Sequence, residues 1–485
     1  GILNNMKLAI IAILLLAITS ARVLYRTETQ EKRLNQENSN SVHEWFTQKV
    51  DHLNPLVNET FQQRYFDISL YWEPRTGPLF LYICGEGTCR QPGDNSFVVN
   101  LAKKYQGRVL ALEHRYYGMS QPTSDWTTEN LQYLTPDQGL ADLAFFATNK
   151  SREYSETYGI PHRRWIVVGG SYPGAMSAWF RSKYPHIAFA SLASSGVVNA
   201  IANYHEYDGQ VYNSTLKSGI ECPEKFFGVS KAFEEIFAQG HGDQVIKDLG
   251  YEGDEITTAD VFSFIGDLAA GSIQYGSRTT FCEEVSKIGD TYQEVIDWLL
   301  SYSSNLGTNL EEYAISYLKN STIDFDKNMR QWSYQTCTNL GYFQTPSEST
   351  PPTRSHFVDI DYARKTCADG FGVDIFPDTD HWNTRYGATD LIGSKIIFTN
   401  GGEDPWQHAS VTKTDNPTQI PIVIDCDDCA HCVDLGGDQS NDPKELTAAR
   451  KRITQIFGKW IKEEIKLEKK FPNESRVTLR EFLSS

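Results

Sequence analysis

Trp165-Ile-Val-Val-Gly-Gly-Ser-Tyr-Pro-Gly-Ala-Met-Ser-Ala-Trp-Phe180 is the stretch whose reading decides the fold. The apolar run Trp165–Val168 has no polar alternation, as expected of a strand buried on both faces. Two glycines and Ser171 follow, and then Ala175, Met176, Trp179 and Phe180 recur at helical spacing. A strand, a tight turn and a helix in this order can hold a nucleophilic serine above a sheet, at the N-terminus of the next helix. The small Gly169 lets a strained turn approach its neighbours. The helix end and the Tyr172 N–H are placed to stabilise an oxyanion. One departure from the pattern G-x-S-x-G is visible: Pro173 stands where Gly is expected, and Gly174 follows it. Pro is tolerated in a first helical turn, where its missing N–H needs no intrahelical partner. An ordinary Gly-rich turn with an incidental Ser is the competing reading.

Working outward, other short apolar runs also end in turns. Leu79–Ile83 precedes Cys84-Gly-Glu-Gly87, and Val109–Leu112 precedes Glu113-His-Arg. Lys395–Thr399 precedes Asn400-Gly-Gly402, and Ile420–Ile424 lies near the end. Amphipathic helices separate these strands. Thr135-Pro-Asp-Gln138 reads as a capping box opening a helix to about Asn149, with Leu140, Leu143, Ala144 and Ala147 on one face. Asp442-Pro-Lys-Glu445 opens another, with Leu446, Ala449, Ile453, Ile456, Phe457, Trp460 and Ile461 as its buried stripe. Strands alternating with helices predict an α/β domain with a mostly parallel sheet. From about His205 to Arg385 the pattern changes to helical stretches such as Ser230–Ala238, Ala259–Ala270 and Tyr292–Leu300, which predicts a helical insertion. Thr345–Thr353 reads as a turn or exposed loop.

The order along the chain supports the catalytic reading. An α/β-hydrolase sheet places an acid and then a His after later strands. Asp404, in Asn400-Gly-Gly-Glu-Asp-Pro-Trp406, follows the strand Lys395–Thr399, and His431 follows Ile420–Ile424. Ser171 as nucleophile, Asp404 as orienting acid and His431 as base therefore have the required order. Glu403 competes with Asp404, although Pro405 more naturally stiffens the turn that aims Asp404. His408 reads as a surface or supporting residue. His114, in Glu-His-Arg-Tyr-Tyr-Gly118, stands near a strand end but precedes Ser171, the wrong order for a base. The loop Gly85-Glu86-Gly87 is expected to give the second oxyanion donor, since glycines permit close backbone approach. Glu86 is also a candidate to meet a substrate amino terminus.

The chain has 485 residues with 45 Lys+Arg against 62 Asp+Glu, a formal charge of −17. That balance argues against nucleic acid as a partner, because phosphate binding needs a basic face. Met6 is the expected initiator, and Lys7 before the apolar run Leu8–Ile18, with Thr19, Ser20 and Ala21 after it, reads as a signal peptide over residues 1–21. Residues 22–41 read as an N-terminal arm or pro-segment. The run is short for a membrane span, so no stable membrane anchor is expected. Sequons at Asn58, Asn149, Asn213, Asn320 and Asn473 point with it to a glycosylated protein of the secretory pathway, extracellular, lysosomal or vacuolar.

These residues resemble the serine carboxypeptidase family that contains prolylcarboxypeptidase, a lysosomal dipeptidyl peptidase and thymus-specific serine protease. The resemblance runs along nearly the whole chain after residue 45: Phe46-Thr-Gln-Lys-Val-Asp-His52, Phe61-Gln-Gln-Arg-Tyr65, Gly85-Glu-Gly87, Glu113–Gly118, Gly169-Gly-Ser-Tyr172, Trp332-Ser-Tyr-Gln-Thr-Cys-Thr338, Asn400–Trp406 and Ala430-His-Cys-Val-Asp-Leu435. Trp332–Thr338 and Gly341-Tyr-Phe-Gln-Thr345 look most like the thymus-specific branch. The resemblance implies an α/β-hydrolase over 42–204 and 386–485, with a helical, disulfide-bonded lid, the SKS domain, inserted over 205–385. It also implies the triad Ser171, Asp404 and His431 and exopeptidase action on peptides at prolyl bonds, with no metal or organic cofactor. A Pro ring suits an aromatic slot under a lid, and Trp406, Trp332, Tyr334 and Tyr172 are the candidate lining residues. Trp332 and Tyr334 compete as core aromatics of the lid. An esterase or lipase on the same fold, and a non-catalytic glycoprotein on a hydrolase scaffold, are the alternatives. A homodimer stays open.

Nine cysteines cannot all pair with one another. Cys337 with Cys367 and Cys222 with Cys282 are the expected lid pairs, and Cys84 with Cys89 a local one. Cys426-Asp-Asp-Cys429-Ala-His431-Cys432 also invites a zinc reading. Zinc on His431 would remove the proposed base, and a secretory chain favours disulfides. At most two of these last three cysteines can bridge each other, so one thiol, or an intermolecular bond, is expected within a few residues of His431.

Overall fold

The structure, a computed structural model, describes residues 42–470. The expected signal peptide, the N-terminal arm and Asn473 lie outside the described residues. The chain divides into Gly1–Glu44 and Trp45–Ser485, and the site belongs to the second unit.

Its centre is an eight-stranded sheet. The strands are β1 (His43–Lys49), β2 (Thr60–Ile68), β3 (Leu79–Ile83), β4 (Arg108–Leu112), β5 (Trp165–Gly170), β6 (Ala188–Ser194), and then, after a small pair β7 (Ile201–Asn203) and β8 (Gly341–Phe343), β9 (Ile396–Gly401) and β10 (Gln419–Ile424). The order is β1-β2-β4-β3-β5-β6-β9-β10. β2 runs antiparallel to β4, and every pairing from β4 to β10 is parallel. Helices cover both faces, which is why the central strands are buried along their whole length. This is the build of an α/β-hydrolase.

The five apolar runs form β3, β4, β5, β9 and β10, with Lys395 standing just before β9. β1, β2 and β6 are the sheet's additions to that reading: β6, Ala-Phe-Ala-Ser-Leu-Ala-Ser, is made mostly of small residues and carries little hydrophobic signal. The helix opened by Thr135 runs to Tyr158, beyond Asn149. Its later turns are held less by an apolar stripe than by Ser151, whose hydroxyl donates to Arg163 O and accepts from Trp165 Nε1, and by Tyr154 against Trp72. Thr135 accepts from Gln138 N, but Gln138 does not reach back; its amide joins Asp51 and the His52 N–H.

Between β7 and β9 the chain is mostly helical, including Glu221–Ala238, Thr258–Gln274 and Tyr292–Leu306. β8 interrupts it and pairs with β7 in parallel. Thr345–Thr353 forms a loop, as expected, with Glu348, Ser349 and Pro351 exposed and its base pinned. The buried Asp208 carboxylate accepts from Ser347 N at 2.9 Å and Thr353 N at 3.0 Å, and Thr345, Ser347 and Thr353 are buried. Among the described residues, no helix is long and apolar enough to cross a membrane.

Candidate active site

Ser171 sits between β5 and the helix Tyr172–Lys183 with φ 65° and ψ −130°, a conformation that costs a non-glycine residue about 1–3 kcal/mol. The surroundings enforce it. Ser171 N donates to Ser194 O at 2.9 Å, and Ala175 N to Ser171 O at 3.0 Å. A Cβ on Gly169 would lie 2.2 Å from Pro173 O, so the turn closes only with glycine there. Pro173 occupies the first helical turn. The Tyr172 N–H, at the helix start, has no intrahelical acceptor.

Asp404 follows β9 and caps the short helix Pro405–Ala409, its Oδ1 accepting from Trp406 N at 2.9 Å. The His431 Nδ1 lies 3.0 Å from each oxygen of this buried carboxylate. Its Nε2 is buried without a hydrogen-bond partner among the described residues. Burial draws the His431 pKa down, but the Asp404 charge and the adjacent Cys432 outweigh it and hold the imidazole well above its ordinary value. Three contacts fix the loop that carries His431. His431 N donates to Gln274 O at 3.0 Å. Cys432 N donates to Ser195 Oγ at 2.9 Å. Asp434 accepts from Ser194 Oγ at 2.6 Å and Thr399 Oγ1 at 2.9 Å, with its pKa raised by burial. Gln274 and Asp434 escaped the sequence reading, since neither residue type at its position signals a hinge between loop and sheet.

A cavity of about 580 Å³ opens at Ser171. Glu86, Trp332, Trp406 and Tyr275 line it with Ser171. Trp406 is held by its Nε1–H, which donates to Gln274 Oε1 at 2.9 Å, and its ring centroid lies 6.1 Å from that of His431. The Gly85–Gly87 loop lies against the elbow: a Cβ on Gly85 would be 2.9 Å from Pro173 Cγ. Burial raises the Glu86 pKa, partly offset by its own backbone N–H and by His431. Tyr275, 74% exposed at the cavity rim, was not legible as a site residue because it follows a helix end with no motif around it.

Two lining assignments need correction. Tyr334 is not at the cavity; it packs edge-on against Phe371, ring centroids 5.3 Å apart, in a helical core. Tyr172 is fully buried beneath the elbow, and its ring meets Trp332 from behind at 5.8 Å. The rivals to the triad are placed elsewhere. Glu403 is buried against Arg278, His408 is exposed with Nε2 3.2 Å from Gln210 Oε1, and His114 is buried beside Tyr172.

Disulfides join Cys84–Cys89, Cys222–Cys282, Cys337–Cys367 and Cys426–Cys429. The last consumes both thiolates of the zinc reading, and Cys432 is the free thiol. Asn58, Asn213 and Asn320 are exposed. Asn149 is not a ready glycan acceptor: it is half-buried inside the helix Pro136–Tyr158, with its amide donating to Phe145 O at 2.8 Å.

Residues 48–453 match the model of the family Serine carboxypeptidase S28. The chain is 34% identical to Probable serine protease EDA2 of Arabidopsis thaliana, over 86% of this chain and 88% of that protein. It is 27% identical to the human Thymus-specific serine protease, over 86% of each chain. It is also 27% identical to the mouse Lysosomal Pro-X carboxypeptidase, over 86% of this chain and 88% of that one. A match of this extent means that the chain belongs to the serine carboxypeptidase S28 family and is a serine-type peptidase.

Proposed function

We propose that Ser171, Asp404 and His431 are the catalytic residues of an exopeptidase that cleaves peptides near proline. The contact of His431 Nδ1 with both Asp404 oxygens carries this reading. It orients the ring and leaves the buried Nε2 as the atom able to take the Ser171 proton. Ser171 attacks the scissile carbonyl, and the developing oxyanion lies against the Tyr172 N–H and the Gly85–Gly87 loop. His431 returns the proton to the leaving amine, and water then cleaves the acyl-enzyme by the same path.

The aromatic walls Trp332 and Trp406 support a slot for a proline ring. The Pro-X carboxypeptidase among the relatives supports the same specificity. Four disulfides and three exposed sequons support passage through the secretory pathway. The test is Ser171→Ala in the full chain, assayed on peptides with proline at each end and read by mass spectrometry for the bond cut. The expected result is loss of nearly all cleavage. Activity near wild type rejects the triad, and cleavage indifferent to proline rejects the specificity.

A further inference from the structure

Beneath the elbow lies a row of polar side chains that does not line the substrate cavity. Gln335 ends the helix Met329–Gln335, Tyr172 begins the elbow helix, and His114 and Tyr117 stand in the loop after β4. Tyr117, Gln335 and Tyr172 are fully buried, and His114 is 4% exposed. The hydrogen bonds run in one line. Tyr117 OH donates to Gln335 Oε1 at 2.6 Å, and Gln335 Nε2 donates to the Tyr172 hydroxyl at 2.9 Å. The Tyr172 hydroxyl lies 3.1 Å from His114 Nε2, and His114 Nδ1 lies 2.9 Å from Arg115 O.

Only one set of protons satisfies the row. A backbone carbonyl cannot donate, so His114 Nδ1 carries the hydrogen. The neutral ring then offers Nε2 as an acceptor, and the Tyr172 hydroxyl donates to it. Having given its proton to His114, Tyr172 accepts from Gln335 through its lone pairs. Burial pulls the His114 pKa down to about 4, so the neutral ring this arrangement needs is the one present.

A phenylalanine, a leucine and a methionine would fill this space without any polar atom to satisfy. The polar row instead specifies one geometry, because each member has a single partner on each side. It spans three elements: a helix between β7 and β9, the elbow, and the loop after β4. The side chain it grips belongs to the residue whose backbone N–H the proposed mechanism assigns to the oxyanion.

We propose that Gln335, Tyr172 and His114 form a positioning row that fixes the Tyr172 N–H in the oxyanion site. The row acts on the transition state and not on substrate binding. This rests on the triad reading above. Small displacements of a catalytic donor cost rate steeply, so the row is felt in kcat.

The test uses Tyr172→Phe, Gln335→Met and the double variant, with Ser171→Ala alongside, on a proline reporter peptide well below the melting temperature. Both single changes are close to isosteric. Each is expected to lower kcat about tenfold with KM changed less than twofold. The double variant should be little worse than either, because both break the same row. Wild-type kcat in Tyr172→Phe, a change confined to KM or to thermal stability, or full additivity in the double variant overturns the proposal. If Tyr172→Phe does not fold, Gln335→Met decides by the same criteria. An active Ser171→Ala rejects the elbow reading and this proposal together, whereas an inactive Ser171→Ala beside a normal Tyr172→Phe rejects this proposal alone.

Discussion

Arg278 grips the buried Glu403 carboxylate through both sides of its guanidinium, Nε at 3.2 Å from Oε2 and Nη2 at 3.0 Å from Oε1. Lys217 Nζ adds a contact at 3.4 Å. The acid that stands beside Asp404 in sequence thus faces a helix, Arg278–Ser286, and not the imidazole. Arg278→Ala would leave this buried carboxylate with Lys217 as its one remaining charged partner among the described residues. The expected cost is about 3 kcal/mol, read as a lower urea midpoint at unchanged slope.

The division of labour between neighbouring acids gives a second prediction. Asp404→Asn should keep the fold but lower kcat by about four orders of magnitude, because an amide does not hold the tautomer that leaves Nε2 free to accept. Glu403→Gln should lower stability while reducing kcat by less than about tenfold, since it touches neither reacting atom. Equal kinetic losses in the two variants would mean that Asp404 is not the orienting acid.

The free Cys432 gives a pH prediction. As the proposed base, His431 would act only when neutral, so kcat/KM should rise with pH through its pKa. Burial lowers that pKa, whereas Asp404 and Cys432 raise it, with a net upward shift. Cys432→Ala removes one raising contribution and leaves the others. The acid limb of the kcat/KM profile should therefore move to lower pH. A limb that stays in place or moves upward contradicts this sign.

Much of the candidate site is legible in the sequence. Ser171, Asp404 and His431 each follow an apolar strand run, and strand ends on one edge of a parallel sheet converge in space. The disulfide partners were harder. The two lid pairs and the local pair Cys84–Cys89 were expected and are present, whereas the unpaired cysteine was narrowed to three positions but not to Cys432. What sequence could not supply was direction. Tyr334 and Trp332 are two positions apart on one helix, yet one faces a core and the other the cavity. The helical period leaves the inward face undefined until the neighbouring helices are placed. Small-residue strands such as β6 stayed hidden for the related reason that burial depends on partners as well as on side-chain hydrophobicity.

That pair of aromatics supplies a final prediction. Trp332 is half-buried, lines the cavity with Ser171 and rests on the ring of Tyr172. Tyr334 is also half-buried, but its ring is committed to Phe371. Trp332→Ala removes apolar wall from the cavity at Ser171, the proposed substrate slot, so KM for a proline reporter should rise about tenfold, equivalent to roughly 1.4 kcal/mol of lost binding. Tyr334→Ala removes core contacts and should lower stability by about 2 kcal/mol, below the roughly 3–5 kcal/mol of a fully buried aromatic because the ring is only half-buried, with KM within twofold of wild type. Thermal melts and steady-state kinetics on both variants separate the two effects. A large KM increase in Tyr334→Ala with an unchanged melt would place that ring in the substrate slot after all.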